Sequence, residues 1–124
     1  MRFEKFEDMK VWQDSRELMK SIYLLTSSGK FSKDFGLRDQ IQRASVSVMS
    51  NIAEGYERAN RKEFIMFLLY AKGSVGEVRS QLYVAPDLGY ISRSQFEVVS
   101  QKAVEVSSQL GSFVKYLRAK TKQG

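Results

Sequence analysis

Two glutamates are the strongest candidates for chemistry in this chain of 124 residues. Glu54 lies four residues before Arg58, and Glu77 lies three residues after Ser74, so each carboxylate shares a helix face with a polar neighbour. If the two carboxylates were adjacent, their repulsion would raise the pKa of one of them, as in an acid–base pair. Histidine is absent, however, and no nucleophile or phosphate-binding loop accompanies the glutamates. We therefore favour a structural role and expect neither catalysis nor a cofactor.

The polar residues around these glutamates form a second pattern. They are spaced by three or four residues, which puts them on one stripe beside an apolar seam. A buried carboxylate needs hydrogen-bond donors, and the serine and asparagine side chains of the stripe can supply them. The sequence therefore predicts a structural polar network formed by Arg43, Ser47, Asn51, Glu54, Ser74 and Glu77.

Metal binding is not expected either. The chain has no cysteine, and without histidine the Glu-x-x-His pairs of di-iron bundles cannot occur. The segment 73–76, Gly-Ser-Val-Gly, is rich in small residues, but it lies inside a helical pattern rather than between a strand and a helix. It is therefore not a phosphate-binding loop.

A basic excess is the main functional signal, since the formal net charge is +6 and no acidic residue follows Glu105. Basic surfaces bind the phosphates of RNA or DNA, without reading sequence when no base-reading motif accompanies them. The alternative is that these basic residues simply form a solvated helix end, because cations near the C-terminus of a helix interact favourably with its dipole. The sequence does not decide between the two interpretations. The candidate phosphate contacts are Arg38, Arg58, Arg61, Lys62, Lys115, Arg118, Lys120 and Lys122.

Four helical stretches must position these residues. Apolar residues recur every three or four positions in residues 7–27 and 35–57, from an Asn60 cap to the region of Pro86, and again from Ser92. Ser32 or Asp34 can cap the second helix, while Gly29 and Gly89 suit left-handed helix ends. Short links between long amphipathic helices predict one domain, residues 1–124, with an all-α, antiparallel, up-down-up-down four-helix bundle.

Small residues in the second and third helices predict close packing between them. Helical glycine costs about 1 kcal/mol relative to alanine, so a close backbone approach is the expected compensation. These residues are Ala44, Gly55, Ala71, Gly73 and Gly76.

The aromatic content favours self-association, because it exceeds what one narrow seam needs and aromatic residues are enriched at interfaces. Packing along the flanks of the monomer core is the alternative. The aromatic candidates are Phe3, Phe6, Trp12, Tyr23, Tyr56, Tyr70, Tyr83, Tyr90 and Tyr116.

No apolar run approaches the roughly 20 residues that span a bilayer, and the N-terminus lacks the apolar region of a signal peptide, so we expect a cytoplasmic protein.

Several of these stretches together resemble a known family. They are NIAEG at residues 51–55, QIQRAS at 40–45, AKGS at 71–74 with Glu77, FEDMKVW at 6–12 and LGYI at 88–91. The chain is similar along nearly its whole length to the four-helix bundle proteins encoded in intervening sequences of bacterial 23S rRNA genes. It departs from them at Ser32, where the family usually has proline, and at Pro86, which interrupts a position that is normally helical.

The resemblance implies a homo-oligomer, typically a ring of five, whose molecular activity is unsettled. Accessory proteins of diversity-generating retroelements resemble this family in fold, and they associate with a reverse transcriptase and with nucleic acid. Two hypotheses follow. The chain is either a non-enzymatic accessory factor that binds RNA or DNA, with a reverse transcriptase or another protein as a further partner, or a protein-interaction scaffold without a nucleic-acid role.

Overall fold

The computed structural model describes the backbone of residues 3–123 and the side chains of residues 3–120. Within that part of the chain there are four long helices and no strand, which confirms the all-α class. The first helix begins later than predicted, because residues 6–8 form a short 3₁₀ turn and Met9 is extended. The helices are α1 Lys10–Thr26, α2 Phe35–Glu57, α3 Arg61–Asp87 and α4 Arg93–Gln123.

Side-chain caps fix where three of the helices start. Asp34, rather than Ser32, caps α2 by accepting a hydrogen bond from the third backbone N–H beyond it. The Asn60 side chain accepts from the Glu63 N–H at 2.9 Å at the start of α3. Ser92 and Gln95 bond reciprocally at the start of α4, which is a capping box.

The end of α3 follows from Pro86 and Gly89. Pro86 lies in the last turn, and the helix ends one residue later. Gly89 then adopts the left-handed conformation with φ of 74°. Its N–H donates to the Pro86 carbonyl, and the Tyr90 N–H donates to the Ala85 carbonyl, so that the chain turns into α4 through a Schellman motif.

The contacts of α3 show that it runs antiparallel to both α2 and α4, which is consistent with an up-down-up-down bundle. As the residue number rises along α3, the number of the contacted residue falls on both neighbouring helices. α1 packs on α2 and α4, which closes the bundle. The α3 contacts are Phe64–Phe113, Lys72–Ser107 and Tyr83–Phe96 with α4, and Ser74–Ser47 and Gln81–Gln40 with α2.

The core is a continuous apolar seam through all four helices. The positions predicted on α2, Ile41, Ala44, Val48 and Ile52, are all buried. Met9 and Phe31, which precede α1 and α2, close the two ends of this core. Burial of such side chains stabilises the fold by about 1.5–3 kcal/mol for each large residue.

Gly55 marks a close approach between α2 and α3. A Cβ atom at this position would lie 2.6 Å from the Phe67 Cβ and 3.0 Å from the Phe64 Cδ1, so no larger residue fits. The prediction of close packing was wrong for Gly73 and Gly76. Both face outward, and a Cβ atom at either would meet nothing within 4 Å.

Replacing Gly55 with alanine should destabilise the protein, because the new methyl group forces α2 away from Phe67. We expect the free energy of unfolding in urea to fall by about 1–3 kcal/mol. Gly111→Ala is the matched control, since its methyl group meets only the flexible end of Lys72 at 3.5 Å. That variant should gain about 0.5–1 kcal/mol. An equal effect of the two substitutions would contradict the close approach at Gly55.

A second prediction concerns Ala59, the residue that follows the C-cap of α2. Its φ of 54° is left-handed, which costs a non-glycine residue about 1–2 kcal/mol. Ala59 is exposed, so Ala59→Gly removes the strain without losing packing. After the entropic cost of glycine in the unfolded chain, the free energy of unfolding should rise by about 0.5–1 kcal/mol. A fall in urea-unfolding stability would show that the alanine is unstrained.

Candidate nucleic-acid interface

One end of the bundle brings the start of α3 and the last turns of α4 together. The rings of Phe64 and Phe113 meet edge to face with centroids 5.4 Å apart. Beside them lies a cleft of about 270 Å³ whose walls include Arg61 and Tyr116. Residues more than fifty positions apart in the sequence therefore form one surface, which we call the α3–α4 end.

The last turns of α4 project beyond this end. α4 continues ten residues past Phe113, whereas α3 begins three residues before Phe64. The difference corresponds to about 10 Å of helix at 1.5 Å per residue. Arg118 and Lys120 lie beyond the level at which α3 begins, whereas Lys115, two residues past Phe113, lies level with the start of α3.

The cations of the α3–α4 end have little acidic compensation. The side chains of Arg61, Lys62, Lys115 and Arg118 are exposed, and none of them forms an ion pair within residues 3–120. Lys120 lies over the Tyr116 ring, with its Nζ 5.7 Å from the ring centroid. The Lys122 side chain lies outside the described residues.

Arg58 belongs to the same end but is neutralised. It forms ion pairs with Glu54 at 3.0 Å and with Glu63 at 3.3 Å, and its guanidinium lies over the Phe67 ring. The hydrogen bond to Glu54 raises the pKa of Arg58 above its ordinary value. Arg58 is therefore held by acidic neighbours and is a poorer phosphate ligand than Arg61.

Arg38 does not join the other candidates. It lies in the first turn of α2, at the opposite end of the bundle, where a hydrogen bond between Tyr90 and Asp34 ties two interhelical links together. Its guanidinium bonds to the Asp39 carboxylate and to the Ser32 carbonyl. We therefore assign Arg38 a structural role in holding the link before α2.

Half of the predicted polar network forms between α2 and α3. The hydroxyl groups of Ser47 and Ser74 lie 3.0 Å apart, and the Asn51 amide donates to both the carbonyl and the hydroxyl of Ser47. Ser74 is buried, while the other two are partly buried. The Ser47–Ser74 bond links facing positions on the two helices and fixes their register, while the Asn51 bonds lie within α2 and orient the Ser47 hydroxyl.

The remaining members lie elsewhere. Arg43 and Glu77 are exposed and have no hydrogen bond or ion pair among the described residues, so they are not part of the network. Glu54 pairs with Arg58 and lies at the level of Phe67, because its neighbour Gly55 contacts that residue. Since Glu77 is ten residues beyond Phe67, about 15 Å along α3, the two carboxylates cannot form an acid–base pair. Within the described residues, no group of three or more acidic residues is placed to hold a metal ion.

The aromatic residues divide into two sets. Most of those predicted at an interface pack against the monomer core, among them Phe6, Trp12 and Tyr56. Tyr70 and Tyr83 instead remain 53% and 58% exposed on α3. Packing against the monomer core thus accounts for most of the predicted aromatic residues but leaves Tyr70 and Tyr83 largely exposed.

A second cleft lies between the N-terminal segment, α1 and α4. It measures about 450 Å³, and its walls are mostly apolar, with Met9 and Phe113 among them. At its rim Asp14 accepts hydrogen bonds from Lys10 at 2.5 Å and from Gln109 at 2.7 Å. The spacing of Lys10 and Asp14 suggests an ion pair in the sequence, but the link to α4 is visible only in the structure.

None of the described helices is long and apolar enough to cross a membrane.

The model of the family described as 23S rRNA-intervening sequence protein matches residues 7–112. No curated protein matches the sequence. Among solved structures, a protein with unknown function from the S23 ribosomal protein family of Bacteroides thetaiotaomicron VPI-5482 is similar to this chain, with 28% sequence identity and a TM-score of 0.77. The match covers 85% of this chain and 98% of that one.

The Asp14 link gives the fold a measurable acid sensitivity. Burial alone would raise the pKa of Asp14, but the hydrogen bonds from Lys10 and Gln109 outweigh it and lower the pKa. A carboxyl whose pKa is lower in the folded state stabilises the fold above its unfolded pKa of about 3.9, and that contribution is lost as the pH falls through the folded value. Asp14→Asn should therefore be less stable than wild type in urea at neutral pH, by less than about 1 kcal/mol. The difference should shrink below about pH 4. If the difference in the free energy of unfolding between Asp14→Asn and wild type stayed the same below about pH 4, the lowered pKa of Asp14 in the folded state would be contradicted.

Proposed function

From the premise that this chain belongs to the 23S rRNA-intervening sequence protein family, we propose that it is a non-enzymatic, homo-oligomeric accessory factor that binds RNA or DNA phosphates. The observation that carries the proposal is the α3–α4 end. Four exposed cations there lack an acidic partner in the described chain, and one of them, Arg118, stands on the projecting turns of α4.

Self-association strengthens this surface. Each copy contributes one cluster of cations, and several clusters on one particle bind a polyanion with greater avidity than any single cluster. The family resemblance implies a ring of five, which would carry the cluster five times. Cytoplasmic location suits the proposal, because RNA is abundant there and the chain has no cysteine to oxidise.

The partners follow from the same surface. Contacts to phosphates alone discriminate little between sequences, so we propose structured RNA or duplex DNA without a defined sequence. A reverse transcriptase or another nucleic-acid enzyme is the proposed protein partner, by the likeness to retroelement accessory proteins. The rival function is a protein-interaction scaffold, which is favoured by the apolar side chains that α3 leaves exposed.

Fluorescence anisotropy with labelled duplex DNA and a structured RNA tests nucleic-acid binding. We expect binding at 50 mM salt that is largely lost by 200 mM, because phosphate contacts release counterions. The double variant Arg61→Gln/Arg118→Gln should bind at least tenfold more weakly and show a salt slope smaller by about 2. The matched control, Lys30→Gln/Lys33→Gln, removes the same charge from exposed residues at the opposite end and should bind as wild type does.

Two outcomes would count against the proposal. No anisotropy change at 50 mM salt would remove the nucleic-acid role, and equal weakening in both double variants would show that binding is not localised to the α3–α4 end. The scaffold function predicts instead that proteins recovered with the chain from a lysate are unaffected by nuclease treatment.

A further inference from the structure

The smaller of the two clefts, at the α3–α4 end, is rich in aromatic rings. It measures about 270 Å³, and five of the ten residues that line it are aromatic. Arg61 is the charged residue among them, and the described walls include no acidic side chain. We call this site the aromatic cleft, and its rings are those of Phe3, Tyr56, Phe64, Phe113 and Tyr116.

Contacts among the rings hold the walls of the aromatic cleft in place. The Phe64 ring meets the Tyr56 ring edge to face, with centroids 6.1 Å apart, and it meets the Phe113 ring in the same way. The Tyr56 hydroxyl donates a hydrogen bond to the Phe3 carbonyl, which ties the N-terminal segment to α2. The cleft is therefore already formed in the folded chain, as most ligand sites are.

Positive charge lies on two sides of the aromatic cleft. Arg61 lines it from the first turn of α3 and forms no ion pair in the described chain. On the α4 side, the Lys120 Nζ lies 5.7 Å from the centroid of the Tyr116 ring. A run of phosphates that passes the mouth of the cleft would therefore meet a cation on each side. The larger cleft differs, because its cation, Lys10, is bonded to Asp14.

A nucleobase is the ligand that suits these walls. In proteins that bind single strands, bases stack on aromatic rings while a basic groove holds the phosphates that connect them. Drug-sized ligands occupy pockets of about 300–1,000 Å³, so this smaller cleft takes one flat base rather than several.

Asn60 adds a hydrogen-bond donor to the wall of the aromatic cleft. Its side-chain oxygen accepts from the Glu63 N–H, while its NH₂ group has no acceptor among the described residues. That group can donate to an acceptor atom on the edge of a bound base.

We propose that the aromatic cleft receives one unpaired base of a nucleic-acid chain whose phosphates contact Arg61 and Lys120. A base inside a duplex is stacked and paired, so it cannot enter without being extruded at a cost. The chain therefore binds single-stranded ends, loops or bulges more tightly than a perfect duplex. Stacking discriminates little between bases, so the selection is for the unpaired state and not for a sequence. This inference rests on the proposed function and names the feature of the nucleic acid that the α3–α4 end selects.

Fluorescence anisotropy with three labelled DNA duplexes of one sequence tests this selection. One duplex is blunt, one carries a single-stranded thymidine tail, and one carries a tail of equal length made of abasic sites, which keep the phosphates but lack the bases. We expect the thymidine tail to bind about tenfold more tightly than the abasic tail. Since the two tails carry equal charge, this ratio should stay constant between about 50 and 200 mM salt while both affinities fall.

Replacing Tyr116 with leucine locates the stacking. Leucine keeps an apolar side chain in the wall but has no aromatic face, so the preference for the thymidine tail should fall to less than about threefold. Tyr23→Leu is the matched control, because it makes the same change at a tyrosine that is 40% exposed near the end of α1, at the opposite end of the bundle. It should keep the wild-type ratio. Because the two tails are compared within each variant, a loss of folded protein affects both affinities equally.

The two proposals fail in different ways. If none of the three duplexes binds at about 50 mM salt, the proposed nucleic-acid role is wrong, and this inference fails with it. If the duplexes bind but the two tails bind equally, only the base-binding role of the aromatic cleft is wrong. If Tyr116→Leu keeps the preference for the thymidine tail, the bases stack elsewhere. A preference that Tyr116→Leu removes and Tyr23→Leu retains supports the inference.

Discussion

The close approach of α2 and α3 at Gly55 is the constraint on which the other features depend. Since a Cβ atom at this position would lie 2.6 Å from the Phe67 Cβ, the two helices approach each other here at a separation that only glycine permits. The hydroxyl groups of Ser47 and Ser74 then face each other further along the helices, at 3.0 Å. A steric limit and a partly buried polar contact thus set the same register, and the apolar seam of the bundle closes around it.

That register decides which surfaces are available for function. It turns Gly73 and Gly76 outward, where they contribute nothing to the monomer's packing. It also places the start of α3 beside the end of α4, so that Arg61 and Arg118 belong to one end of the molecule although 57 positions separate them in the sequence. The exposed apolar side chains of α3 and the cations of the α3–α4 end therefore both follow from the way α3 packs on its neighbours.

Local chemistry made the fold predictable from the sequence. Periodic apolar residues revealed the helices, and the side chains of Asn60 and Ser92 revealed where two of them begin. Tertiary proximity is what the sequence could not supply. Helical spacing alone could not distinguish the tightly packed Gly55 from the exposed Gly73. It indicated the pairing of Glu54 with Arg58 but not Glu63 as a second acidic partner of Arg58. The left-handed Ala59 was also missed, since alanine gives no signal for that conformation.

The register of α2 against α3 can be measured directly by an engineered disulfide. In a Ser47→Cys/Ser74→Cys variant, the two sulfur atoms replace hydroxyl groups that lie 3.0 Å apart, and no other cysteine competes with them. We predict a disulfide within each chain and no free thiol after mild oxidation. A matched Asn51→Cys/Ser74→Cys variant, displaced by one helical turn, should form it far more slowly. Free thiols in the first variant, or faster closure in the second, would contradict the register.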